Sequence, residues 1–467
     1  MGVKHNCGFC VAHTLHDVYS FIKSLQHRGR EATGIAFIGD DGIDVIKWVG
    51  PVDRFDIEDL YKLFPSDKYH TYLAHVRYAT KGRKDKILFD AHPHVVGGEI
   101  KNNGSHLIII GCEAVIVHNG QVDFDYLKPY DLEGDKCDTE AILKKYVDSG
   151  EKEILRNIPG AYTLAIASKK SRDVIVMRDK TGIKPGVLGW KDGKYVVASE
   201  DVSFKKNGAK FIEDLEPGYV YYLFPSGEYS REKVVEKNLK HCFFEYNYIA
   251  NSESIIDGVG VRRLREVLGI ELAREFPLKA DYVTFLPRCP EVAARNYARE
   301  LGIPFVNLFY KTRGERSFLG SDSKDRKESI TNNLYVHPYV NDQKIGEFLK
   351  YKTVIIVDDS VVRGNNSKRA IEILKREADV KNIYLINYTP KIGGVPEDGI
   401  PRGCTYGVDM PPTDNFIVRR GDDKVISEEI GAEVLFMSVE GMLKVFEKLG
   451  IRRENLCYFC IGGKKPF

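Results

Sequence analysis

A chain of 467 residues, 43% hydrophobic and 29% charged, has the composition of an ordinary globular protein and the length for two or three domains. Its 69 Lys and Arg against 67 Asp and Glu exclude a global field drawing it to nucleic acid or a membrane surface, so any anionic partner must be held by a local site. The most apolar stretch, 107–117, is broken by Glu113 and falls well short of the roughly 20 residues of a spanning helix. No apolar run near Met1 resembles a secretory signal, so a reducing cytoplasm is the expected compartment.

Short apolar runs bounded by Gly, Pro, Asn and Asp predict strands over 33–38, 72–76, 107–110, 114–117, 162–167, 174–177, 195–198 and 218–223. Apolar residues at three- and four-residue spacing predict helices over 16–26 and 139–148. The first half therefore reads as a layered α+β domain. A charged stretch, 231–240, follows a Pro-Ser-Gly turn at Pro225 and marks the expected boundary, with one domain over 7–240 and a second over 241–467. Beyond it the texture alternates: helix 261–275, strand 282–286, helix 291–301, strand 353–357, helix 367–376, strand 382–388. That is the pattern of an α/β domain on a parallel sheet. Nine cysteines, an odd number, in a chain without a secretory signal point to metal or catalytic use rather than a disulfide framework.

Cys7-Gly8 is followed in order by LQHRGREATGIAF (25–37), AHVRYAT (74–80), VHNGQV (117–122), CDTEAI (137–142), GAYTLAI (160–166), RDKTGIKP (178–185) and VASE (197–200). These segments resemble the N-terminal-nucleophile class of glutamine amidotransferase domains, with their layered α/β/β/α fold. The resemblance implies that residues 1–6 are a propeptide and that Cys7, once exposed, attacks the glutamine side-chain amide. Its base would be its own α-amino group, whose pKa of roughly 7.7–8.0 suits proton transfer near neutrality. Asn119 and the backbone N–H of Gly120 would stabilise the charge developing on the amide oxygen. Arg77 would take the glutamine carboxylate with its planar fork, and Asp138 the ammonium group.

In the second half, TVIIVDDSVVRGNNSKRA (353–370) reads as an apolar strand, two carboxylates, a glycine-containing loop and a helix. Such a loop at the C-terminal end of a parallel strand presents backbone N–H groups and a positive helix end to phosphate. Asp358 and Asp359 would repel phosphate, but they fit sugar hydroxyls or a magnesium ion. The segment resembles the phosphoribosyl pyrophosphate (PRPP) loop of type I phosphoribosyltransferases. With FFEYNYIANSESIIDGVGV (243–261), YGVDMP (406–411) and FMSVEGM (436–442), nearly the whole chain resembles the amidophosphoribosyltransferase family, in its iron–sulfur-containing branch.

That resemblance implies a PRPP site at Asp358, Asp359, Ser360, Arg363, Gly364, Asn365, Asn366 and Ser367, with Lys311, Arg313 and Arg316 from a closing loop. It implies magnesium at Asp358 and Asp359, and a [4Fe–4S] cluster at Cys242, Cys404, Cys457 and Cys460. Tetrahedral zinc is the competing reading of the four cysteines. Cys10, Cys112, Cys137 and Cys289 are left as ordinary small residues. The implied activity is glutamine-dependent conversion of PRPP to phosphoribosylamine, the first step of de novo purine synthesis. Feedback by purine nucleotides and a homotetramer or other homo-oligomer are implied with it; neither nucleic acid nor membrane is an expected partner. Three departures fall in the second site. Asn365 and Asn366 stand where threonines are usual, Arg288-Cys289 where Asp-Ser is usual, and residues 311–318 lack the usual tyrosine. They leave two alternatives open: a diverged relative serving another phosphorylated acceptor, or a non-catalytic nucleotide- or PRPP-binding regulator.

Overall fold

The structure, a computed structural model, describes residues 7–78, 87–130, 137–287, 289–311, 334–408, 410–413 and 415–467. Expectations that fall on residues 1–6, Arg288, Arg313 and Arg316 lie outside the described residues.

Two antiparallel sheets stack face to face in the first half. One has nine strands, in the order Lys210–Asp214, Val187–Lys191, Lys194–Ala198, Gly8–Ala12, Thr71–Arg77, Ala32–Ile38, Ile43–Val49, His106–Cys112 and Glu99–Asn102. The other has six: Tyr229–Lys233, Tyr219–Leu223, Val174–Arg178, Gly160–Ser168, Ala114–Val122 and His94–Val96. Phe9, Val11, Leu73, Val115, Val117, Ala165 and Val176 fill the space between them. Alternation puts the opposite residues of the same strands, such as Cys10 and Ile35, under helix Leu15–Ser24 on the outer face of the first sheet. Ile116, Leu164 and Ile166 lie likewise under helices Asp138–Ser149 and Glu151–Asn157 on the second. The result is the expected helix–sheet–sheet–helix layering.

The second half carries a four-stranded parallel sheet, Tyr282–Phe285, Thr353–Asp358, Asn382–Asn387 and Glu433–Phe436. Helices Val261–Glu275 and Glu291–Leu301 have the bounds expected from periodicity. The charged stretch after Pro225 is not wholly a linker: Tyr229–Lys233 pairs with Tyr219–Leu223 as an edge strand. Among the described residues, no helix is long and apolar enough to cross a membrane.

Candidate functional site

Antiparallel register brings the first candidate site together. Gly8 pairs with Val76, and Ala32 with Arg77, so Cys7 and Arg77 lie side by side at one end of the nine-stranded sheet. Arg28 Nε donates to the Cys7 carbonyl at 2.8 Å. Burial pushes the Cys7 thiol up, while the Tyr78 N–H and the charges of Arg77, Lys184 and Arg28 act in the opposite direction. Asn119 and Gly120 come from strand Ala114–Val122 of the other sheet, which His75 Nε2 meets at the His118 carbonyl, 3.3 Å away.

Asn119 is buried, yet neither atom of its side-chain amide has a partner. A buried polar group left unmatched is costly, and here it is a donor ready for a substrate oxygen. Gly120 has φ +148°, and a Cβ there would lie 2.0 Å from the Ala161 carbonyl oxygen; only glycine allows this approach. Arg77 Nη2 lies 3.5 Å from Asp90 Oδ2 while its buried Nη1 is unpartnered, leaving one arm of the fork for a carboxylate. Asp138 opens helix Asp138–Ser149 beside His118, its Oδ2 3.9 Å from Nδ1.

The second candidate site sits where strand Thr353–Asp358 ends. Asp358 and Asp359 are both buried. Asp359 N donates to Asp358 Oδ1 at 2.9 Å, Ser367 Oγ to Asp358 Oδ2 at 3.2 Å, and Ser360 Oγ to Asp359 Oδ2 at 2.8 Å. Burial and then the charge of Asp359 raise the Asp358 carboxyl well above its usual range. Asp359 is pushed up to about 6, chiefly by burial, against the pull of Ser360, Arg265 and Lys311. Two buried acids held together with so little compensation fit a bound cation or sugar hydroxyls. Gly364 ends the loop with φ +81°, and a Cβ there would meet Ile417 Cδ1 at 2.6 Å. It caps helix Asn365–Glu377, which starts two residues earlier than the sequence suggests, so Asn365 and Asn366 form its exposed first turn. Arg363 lies half-buried in the loop, and Lys311 ends strand Phe309–Lys311.

Cys289 sits on the floor of this site: its Sγ lies 3.3 Å from the Asn247 carbonyl and 3.5 Å from Tyr388 Oη. Burial pushes its thiol up to about 11, so it stays a neutral weak donor where a hydroxyl is usual.

Several connecting residues were not assigned from sequence. Glu200 is fully buried; its Oε1 accepts from His27 Nε2 at 2.8 Å and from Arg28 Nη1. Its Oε2 accepts from Asn251 N at 2.9 Å and Ser254 Oγ at 2.6 Å. Arg28 Nη1 also reaches Glu245 at 2.8 Å, so the guanidinium that holds the Cys7 carbonyl is anchored in both halves. The Tyr248 phenol is raised by burial, then by the charges of Asp359 and Tyr78, so it lies within electrostatic reach of both the acid pair and the residue next to Arg77. Lys184 Nζ donates to the Gly407 carbonyl at 2.6 Å. VASE and RDKTGIKP contain Glu200 and Lys184, but their partners are 51 and 223 residues away, which local pattern does not encode.

The four tail-region cysteines converge. Cys242 and Cys457 pair in parallel strands, and Cys404 Sγ accepts from Val408 N at 3.4 Å. The Cys460 thiol is raised by burial and by Cys404, Cys242 and Cys457. Four cysteine side chains gathered at one place, mostly buried, fit a metal group. A set of four cysteines suits tetrahedral zinc or an iron–sulfur cluster.

A glutamine amidotransferase domain family matches residues 112–243. The chain is 30% identical to the amidophosphoribosyltransferase of Methanocaldococcus jannaschii, over 96% of this chain and 94% of that protein. It is 31% identical to the amidophosphoribosyltransferase of Bacillus subtilis, over 96% and 90%. Among solved structures it is similar to glutamine PRPP amidotransferase from B. subtilis complexed with ADP and GMP, at TM-score 0.78 and 27% identity, covering 98% of this chain and 97% of that one.

Proposed function

Because the chain belongs to the amidophosphoribosyltransferase family and catalyses the glutamine-dependent conversion of PRPP to phosphoribosylamine, the first step of purine biosynthesis, we propose the following roles for its residues. Cys7, freed of residues 1–6, attacks the side-chain carbonyl carbon of glutamine. Its α-amino group takes the thiol proton and passes it to the leaving ammonia, and water then hydrolyses the thioester to glutamate. Asn119 and the Gly120 N–H receive the charge on the amide oxygen. Arg77 holds the carboxylate of glutamine and Asp138 its ammonium group.

Ammonia then reaches the second site past Tyr248, sheltered from water that would protonate it. The loop over Ser360, Arg363, Gly364, Asn365, Asn366 and Ser367 holds the 5-phosphate at the helix start. Asp358 and Asp359 orient the ribose hydroxyls, and Lys311 and Arg313 bind the pyrophosphate. Ammonia attacks C1 of the ribose as the bond to pyrophosphate breaks. Asp358 and Asp359 would also hold magnesium, which neutralises the departing pyrophosphate when bound. Cys242, Cys404, Cys457 and Cys460 would hold a [4Fe–4S] cluster, a structural tie between the tail and the domain junction. The domain limits 7–240 and 241–467 are supported by sheets that lie within 8–233 and 282–436. The B. subtilis complex with ADP and GMP supports purine nucleotides as feedback ligands here, and the family likeness supports a homo-oligomer, a tetramer by the same resemblance.

The observation that carries the reading is the unpartnered, buried Asn119 amide and Arg77 arm flanking Cys7. The test is anaerobic release of glutamate and pyrophosphate with glutamine and magnesium, with and without PRPP. Stoichiometric, mutually dependent release is expected. Glutamate released without pyrophosphate would overturn the roles given to the second site; no observation favours another acceptor or a non-catalytic regulator.

A further inference from the structure

His94, Cys137 and Glu140 form a cluster that neither reaction step uses. His94 begins the edge strand His94–Val96, while Cys137 caps helix Asp138–Ser149 and Glu140 lies in its first turn. Sheet edge and helix start thus fix the three side chains against each other. One donor atom from each lies within 4.8 Å of the others. We propose that these three residues form a binding site for a borderline divalent cation of the zinc class, separate from the tail cysteines and from Asp358 and Asp359.

Three observations carry the assignment. First, His94 Nε2 and Cys137 Sγ are 4.0 Å apart. With bonds of about 2.0 and about 2.3 Å, a zinc ion sets nitrogen and sulfur about 3.5 Å apart at the tetrahedral angle and about 4.3 Å apart in line, so the observed gap is one an ion spans. Second, His94 Nδ1 lies 2.9 Å from Glu140 Oε1, the carboxylate contact that fixes ring orientation and tautomer in metal-binding histidines. His92 packs edge-on against the same ring at 4.7 Å and stacks on His75 at 4.1 Å, which closes the inner wall.

Third, the donor pair of imidazole and thiolate, with Glu140 holding the ring rather than the ion, suits zinc and its neighbours rather than magnesium or calcium, which take oxygen. The His94 side chain is 5% exposed and that of Glu140 42%, so the cluster is buried on one side and open for entry, and for a water ligand, on the other. Asp138 lies between Cys137 and Glu140, and an ion here would fix the start of the helix that carries it.

The test is equilibrium dialysis of the full chain against zinc, comparing the unaltered protein with Cys137→Ser, His94→Asn and Glu140→Gln. All four tail cysteines are retained in each, so their contribution cancels. One zinc per chain fewer is expected in the first two variants, and an affinity weaker by about 10- to 100-fold in the third. Equal zinc content and affinity in all four proteins would overturn the proposal. A readout free of any variant is alkylation of Cys137 by iodoacetamide, followed by peptide mass. Saturating zinc is expected to protect it, and undiminished labelling under saturating zinc would overturn the proposal as well.

Discussion

In the proposed roles, the pocket around Cys7 and the loop around Asp358 face opposite electrostatic tasks. Glutamine brings a neutral amide on which charge appears only during reaction, and the pocket holds unpartnered donors in advance, Asn119 and one arm of Arg77. PRPP brings its charge with it, and the loop holds two carboxylates driven toward protonation by burial and by each other. The first site is organised before its ligand arrives, as electrostatic stabilisation of a transition state requires. The second is uncomfortable until a cation or sugar hydroxyls relieve it.

Breaking one site while the other works is the largest expected effect. Cys7→Ala should lower glutamine-dependent pyrophosphate release by about a thousandfold or more, while release driven by an ammonium salt persists; an equal loss with ammonium would show the two sites are not separable. Asn119→Ala should lower kcat for glutamine hydrolysis by about a hundred- to a thousandfold, with little change in KM, because the donor acts on charge that appears in the transition state. A rise in KM at constant kcat would make Asn119 a ground-state contact instead.

The smallest effect sharpens the other side of the comparison. With magnesium held at Asp358 and Asp359 as proposed, protons compete with it, and Asp359 is held up to about 6. The magnesium needed for half-maximal pyrophosphate release should therefore rise several-fold as pH falls from about 7.5 to about 5.5. For folding the sign is the reverse of a salt-bridged acid. A carboxyl raised in the folded state favours the fold while protonated, and that contribution is lost as pH rises from its ordinary value through the folded one. Added magnesium with PRPP should accordingly raise Tm more at neutral than at acid pH.

Much of this was legible in the sequence where one local rule sufficed. Helix Glu291–Leu301 ends at Gly302, whose φ of +67° matches the left-handed cap that glycine supplies. The strand, paired acids and glycine of residues 353–364 were placed correctly because a parallel strand followed by a glycine loop has one usual geometry. Edge strands were less legible. Tyr229–Lys233 carries charges on its exposed positions, which keeps an open edge from pairing with another chain but erases the apolar alternation a reader relies on, and Lys210–Asp214 exposes its two apolar residues, Phe211 and Ile212, side by side. Gly8–Ala12 was missed as a strand because it is buried on both faces and too short for periodicity to separate it from a helix. Glu200, Lys184 and Tyr248 gain meaning only from partners far along the chain, and His94 with Cys137 only from the packing of a helix start on a sheet edge.

The contacts around Cys7 also have an order in time. Both antiparallel sheets are complete by Lys233, and chains fold from the N-terminus as they are made. Yet Arg28, which holds the Cys7 carbonyl, waits for Glu245, and Glu200 waits for Asn251 and Ser254. Lys184 waits for Gly407, and the strand at Cys242 for Cys457. A nascent chain therefore builds both antiparallel sheets first, ties Arg28 and Glu200 down as residues 245–254 emerge, and closes the Lys184 and Cys242 contacts only when residues 407 and 457 have been made.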